Sequence, residues 1–127
     1  MTDAAAESDD TEEGEHDREE LLERTKRALQ TMQAIHNDSR TPLEDAIALM
    51  PHIRKLTDLR RALRREAYQT AAASEKFQGA ILALTKVNLA IKADVIRHKR
   101  FMEFISNAAT ATSAVLDFAI AVGAAAK

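Results

Sequence analysis

The sequence has no cysteine and no tryptophan, and only three glycines (Gly14, Gly79, Gly123) and two prolines (Pro42, Pro51) in 127 residues. Without cysteine there is no disulfide frame, no thiol nucleophile and no thiolate metal site. So few turn-forming residues exclude a chain built of hairpins, while the prevalence of Ala, Leu, Ile, Arg, Lys and Glu is helix-forming composition. His36, His52 and His98 form no pair at four-residue spacing, so zinc is unsupported. The one Glu-x-x-His, Glu13 to His16, has no second copy to complete a di-iron set. Glycine-rich phosphate loops, nucleophile elbows and paired core carboxylates are also missing. These gaps point to a protein that is not an enzyme and needs no cofactor. The opening MTDAAAESDD has neither the basic nor the apolar region of a secretory signal, which makes the cytoplasm the expected location.

What the chain does have is a charge split. The formal net charge is −2, yet residues 1–23 hold eleven acidic side chains against a single basic one, Arg18. Residues 24–127 carry 17 Lys and Arg against 9 Asp and Glu, a basic body behind an acidic end. Residues 1–16 offer no apolar residue beyond alanines and Met1, so nothing there offsets the entropy of ordering, and a disordered acidic tail is expected. The remaining residues, 17–127, suffice for one helical domain.

From Asp17 the apolar residues Leu21, Leu22, Ala28, Leu29, Met32 and Ile35 keep a helical period, predicting a first helix to about Asn37. Thr41-Pro42-Leu43-Glu44 reads as a capping box with proline at the first helical position, so a second helix is expected over 42–50. Pro51 should kink or end it near Met50. A third helix is expected over 52–122, with a possible fold-back near 70–79, where Ser74 can cap and Gly79 is permissive.

The reason for expecting such length is a seam. Steps of four and three residues from Leu49 pass through Ile53, Leu56, Leu63, Phe77, Ile81, Leu84, Asn88, Ile91, Val95, Met102, Ile105 and Leu116. A repeat of 3.5 residues sustained this far is the pattern of helices that pack along their length. The fold class predicted is therefore all-α, an elongated helical bundle or long coiled-coil-like helices. Asn88 on the seam can fix register by pairing with another asparagine, and His98 can act as a pH switch if covered. An unbroken helix from Pro51 to Val122 would be about 105 Å long, which one chain cannot cover alone, so it must fold back or find a partner.

In the last helix the polar side chains Glu103, Ser106, Thr110, Ser113 and Asp117 form one narrow stripe. The apolar remainder, including Phe101, Phe104, Val115, Phe118, Ile120 and Val122, demands cover from two sides, as in a bundle, an oligomer core or a membrane interface. Asp117 opposes a simple membrane anchor by about 3 kcal/mol. Lys92, Arg97, Lys99 and Arg100 would suit anionic headgroups. A second basic cluster, Arg54, Lys55, Arg60, Arg61, Arg64 and Arg65, spreads around its helix and has only Tyr68 nearby as an aromatic, so it would give salt-sensitive, sequence-blind nucleic-acid contact at most.

The leading expectation is a non-enzymatic scaffold or adaptor that self-associates or docks a partner helix through the seam. A membrane-active protein acting through 101–122 is the alternative, and phosphate-directed nucleic-acid binding the third.

Overall fold

A computed structural model describes the backbone over residues 2–65 and 73–125, with side chains from His16 onward within those ranges. The helices are α1 (Thr2–Asn37), α2 (Leu43–Arg65), α3 (Ser74–Asn88), α4 (Lys92–Arg97) and α5 (Phe101–Ala121), and there is no strand among the described residues. Helix α1 thus begins before Asp17. Its first buried side chain among those described is Leu21, followed by Thr25, Ala28, Leu29, Met32 and Ile35. The Thr25 hydroxyl, fully covered, donates to the Leu21 carbonyl one turn back, which lets a polar side chain sit within the apolar stripe.

The four long helices meet round one core. Helices α1 and α5 each pack against both α2 and α3, whereas α1 and α5, like α2 and α3, lie across a diagonal with little contact. Helices α1 and α2 run antiparallel: the Arg60 guanidinium donates to the Leu22 carbonyl (3.3 Å) and that of Arg18 to the Arg64 carbonyl (2.6 Å). Core positions are Leu49, Ile53, Leu56, Leu59 and Leu63 from α2, Phe77, Ala80, Ala83, Leu84 and Val87 from α3, and a stripe of α5 from Phe101 to Ala119. The Phe77 and Phe118 rings meet edge to face, with centroids 5.8 Å apart.

Several expectations are corrected. Proline does not divide α2: the helix runs through Pro51. The missing amide deprives the Ile47 carbonyl of its partner, but Ile47 and Pro51 are both exposed, so water can satisfy that carbonyl. Thr41 does not work as a capping-box hydroxyl; it donates back to the Ile35 carbonyl (2.5 Å), closing the α1–α2 turn. The Pro42 carbonyl accepts from the Asp45 and Ala46 amides, each at 3.0 Å. A new helix, α3, does start within the expected 70–79 segment, at Ser74, but its N-cap residue is Ala73, no side chain caps it, and Gly79 lies inside the helix. Of the 70–79 segment, residues 70–72 lie outside the described residues.

The single helix over 52–122 is replaced by α2, α3, α4 and α5. Besides the break between Arg65 and Ser74 there are two more: one follows Asn88, where Ile91 takes an extended backbone (φ −104°, ψ 120°) before α4 starts. The other is at Lys99, whose φ of 53° is left-handed. There the Arg100 amide reaches the Val95 carbonyl (2.9 Å) and the Lys99 amide the Ile96 carbonyl (3.3 Å), the double bond of a Schellman ending with lysine in the position glycine usually takes. Neither break contains glycine or proline, which is why local composition gave no warning of them.

Candidate functional site

The structure distributes the seam unevenly. Ile53, Leu56, Leu63, Phe77, Leu84 and Val95 are buried in the chain's own core, and Ile81, Asn88, Ile105 and Leu116 are partly buried. Ile91 and Met102 stand in solvent, 62% and 84% exposed. On α5, Phe101, Phe104, Val115 and Phe118 face inward against α2 and α3, while Ile120 and Val122 are half-buried. The polar stripe Glu103, Ser106, Thr110, Ser113 and Asp117 is exposed along its whole length. Among the described residues, α5 is the one helix long and apolar enough to cross a membrane. Its aromatic flank, however, is already covered by protein.

Asn88 pairs within the chain. Its Nδ2 donates to the Arg24 carbonyl (3.2 Å), and its covered Oδ1 has no partner among the described residues. The Arg24 guanidinium donates to Thr85 Oγ1 (3.0 Å) and to Glu20 Oε1 (3.1 Å), so a polar chain from Glu20 to Asn88 ties α1 to α3. Sequence reading missed this link. The only signal was Thr85 and Asn88 three residues apart, enough to place both on one face. Beside it lies an open groove lined by His16, Glu19, Glu23, Arg27 and Leu89, with both signs of charge intermixed. No group of three His, Asp or Glu side chains among the described residues is placed to hold a metal ion. His98 is exposed, so burial gives it no switching role.

The basic residues separate into two regions. Arg54, Lys55, Arg61, Arg64 and Arg65 are exposed on the second half of α2, where Arg60, half-buried, is held by its bond to Leu22. Lys92, Arg97, Lys99 and Arg100 are exposed on and after α4, at the opposite end of α2 from Arg65.

That second end is where three turns converge. Asp38 organises it: its carboxylate accepts from the Arg40 amide (2.9 Å), twice from the Arg40 guanidinium (3.0 Å each), and pairs with Lys92 Nζ (3.4 Å). The Arg40 guanidinium, aided by its own amide, holds the Asp38 carboxyl well below the ordinary carboxylate range. Covered to 8% exposure of its side chain, Asp38 thereby fixes α4 against the α1–α2 turn. The turns that lead into this end expose Leu43, Ile91 and Met102, with Leu89 exposed just before them at the mouth of the α1–α3 groove, and the same stretch carries the exposed cations Lys92, Arg97, Lys99 and Arg100 together with Asp94 and Glu103. Apolar side chains rimmed by cations can hold an amphipathic partner of acidic character. Leu43 and Leu89 were not foreseen as part of such a surface, since neither falls on the seam. The chain matches no protein-family model, no curated protein and no solved structure.

Proposed function

We propose that this chain is a non-enzymatic helical adaptor or scaffold, an elongated bundle that docks a partner through its α4 end. The carrying observation is that the apolar seam is mostly consumed inside the chain, while Leu43, Leu89, Ile91 and Met102 are left in solvent at the turns flanking α4, the stretch that also carries four exposed cations. Exposing large apolar side chains together in a soluble fold favours association, and the surrounding charge favours an acidic partner helix over a neutral one. Residues 1–16 enter this reading as an acidic segment that lowers non-specific association of the basic body; the disordered tail expected there is not what the helix from Thr2 describes.

Two other readings have less behind them. Membrane insertion through α5 would require Phe101, Phe104, Val115 and Phe118 to leave the core they fill. Nucleic-acid binding would have to use basic residues divided between two ends of α2.

The test is a cross-linked pull-down with the parent and an Ile91→Asp/Met102→Asp double variant, both checked for helicity. The adaptor reading expects one defined protein retained by the parent and lost with the variant. The same proteins recovered with both forms overturn it, as does parent binding to phosphatidylserine vesicles or to duplex DNA that the double variant abolishes.

A further inference from the structure

Helix α3 has a second face that its own fold leaves unused. Glu75, Gly79, Leu82 and Lys86 are all exposed, Leu82 by 65%, and they step by four, three and four residues. At about 100° per residue they fall within an arc of about 60°, opposite the buried Phe77, Leu84 and Val87. This is a short ridge of the kind that packs helix on helix, and its residues are exposed, uncovered by the described residues.

Gly79 is the informative residue. Glycine inside a helix weakens it relative to alanine. Yet a Cβ added at Gly79 would meet nothing within 4 Å, so the fold of a single chain draws no benefit from its absence. The missing side chain leaves a recess on the outer surface, and three residues on stands an exposed leucine that is a match for it. Glu75 and Lys86, at the two ends of the ridge, enter no ion pair among the described residues.

We infer that two copies of this chain pair antiparallel through this face of α3, about a twofold axis passing between Ala80 and Ile81. That axis sets Leu82 of each copy over Gly79 of the other, and Glu75 of each beside Lys86 of the other. One register satisfies shape and charge together, which is the self-complementarity that a twofold interface demands. The charge order singles out a second copy among possible occupants. An anionic surface would be repelled by Glu75, and a cationic one by Lys86.

The ridge spans a 15-residue helix, so it buries less than the about 800 Å² per partner typical of tight complexes. The dimer is accordingly weak and concentration-dependent. It also turns the two α4 ends away from each other, making the adaptor of the preceding section bivalent. The pairing itself stands on α3 alone and does not depend on that reading.

Sedimentation velocity of the full chain over a wide concentration range reads the pairing directly. The mass should rise from 14.0 kDa toward twice that value. Leu82→Asp should leave a monomer. Gly79→Gln should raise the thermal midpoint, as a better helix former, while weakening the dimer about tenfold by filling the recess. Glu75→Lys and Lys86→Glu should each weaken it, and the double reversal should restore it. A chain that stays monomeric at every concentration overturns the inference, and so does a dimer that tolerates Leu82→Asp or is not rescued by the double reversal.

Discussion

Leu56 and Met102 both fall on the same 3.5-residue repeat, yet Leu56 is fully buried and Met102 is 84% exposed. In α2 and α3 the apolar positions of the repeat, Leu49, Ile53, Leu56, Leu63, Phe77 and Leu84, lie in the core, with Ile81 at its margin. Beyond Asn88 repeat and core part, because the chain turns twice, after Asn88 and at Lys99, before α5 begins. In α5 the core stripe runs Phe101, Phe104, Ala108, Ala111, Val115 and Phe118, one residue ahead of the repeat's Met102, Ile105 and Leu116. A slip of one residue rotates a helix by about 100°, enough to carry a core position to the flank or into solvent. The comparison teaches that a periodic pattern assures a face only along an unbroken helix. Across a turn the phase can survive, as from α2 to α3, or be lost, as from α3 to α5.

The widest separation between the two regions should appear in stability. Leu56→Ala and Leu84→Ala each create a cavity in the core and should cost about 2–5 kcal/mol. Met102→Ala and Ile91→Ala remove exposed side chains and should stay within about 0.5 kcal/mol. Urea unfolding with a common slope measures both pairs. A cost at Met102 equal to that at Leu56 would mean the long seam continues into α5 after all, buried in some assembly at the conditions used.

The same contrast explains what was legible in the sequence. The all-helical class, the apolar positions of α1 and the start of α2 near Pro42 could be read from local periodicity and composition. So could the polar stripe of α5, which needed only the rule that such a helix must be covered from two sides. The α5 core flank had two candidates, and only the packing of α2 and α3 against α5 chose the aromatic one. The breaks were not legible, since Asn88-Leu89-Ala90-Ile91 and His98-Lys99-Arg100 contain no glycine or proline. Of the α4 end, the cations were visible in the sequence. Its exposed Ile91 and Met102 were read as seam because the turns that turn them outward had not been seen.

The two Schellman endings sharpen the point on a smaller scale. At the end of α5, Gly123 has φ 78°, and the Ala124 amide reaches the Ala119 carbonyl at 2.8 Å. At the end of α4, Lys99 holds the same left-handed conformation with a side chain that disfavours it. Lys99→Gly should therefore stabilise the fold by about 1 kcal/mol, and Gly123→Ala should destabilise it by about the same amount. Opposite signs in thermal melts would confirm that both turns are set by backbone geometry. A loss on Lys99→Gly would show that the lysine side chain holds the turn.

The smallest expected effect tests what keeps α4 in place once the helix has broken. The Asp38 carboxyl titrates below its ordinary range because Arg40 and Lys92 favour its charged form. With the folded-state pKa depressed, the unfolded chain takes up the proton first as acid is added. The clasp's contribution is thus fully present above the ordinary carboxylate pKa of about 4, and it is lost as pH falls from there through the lower folded value. Asp38→Asn keeps the shape but removes the charge, so the variant should be less stable than the parent at neutral pH and should converge toward it in acid. Lys92→Gln should reproduce a fraction of this difference, since Arg40 supplies most of the partners. Amide exchange over residues 89–100 gives the spatial readout: faster exchange confined to α4 in Asp38→Asn would assign the clasp to docking that helix, whereas faster exchange throughout α1 and α2 would make Asp38 a general stabiliser of the first turn.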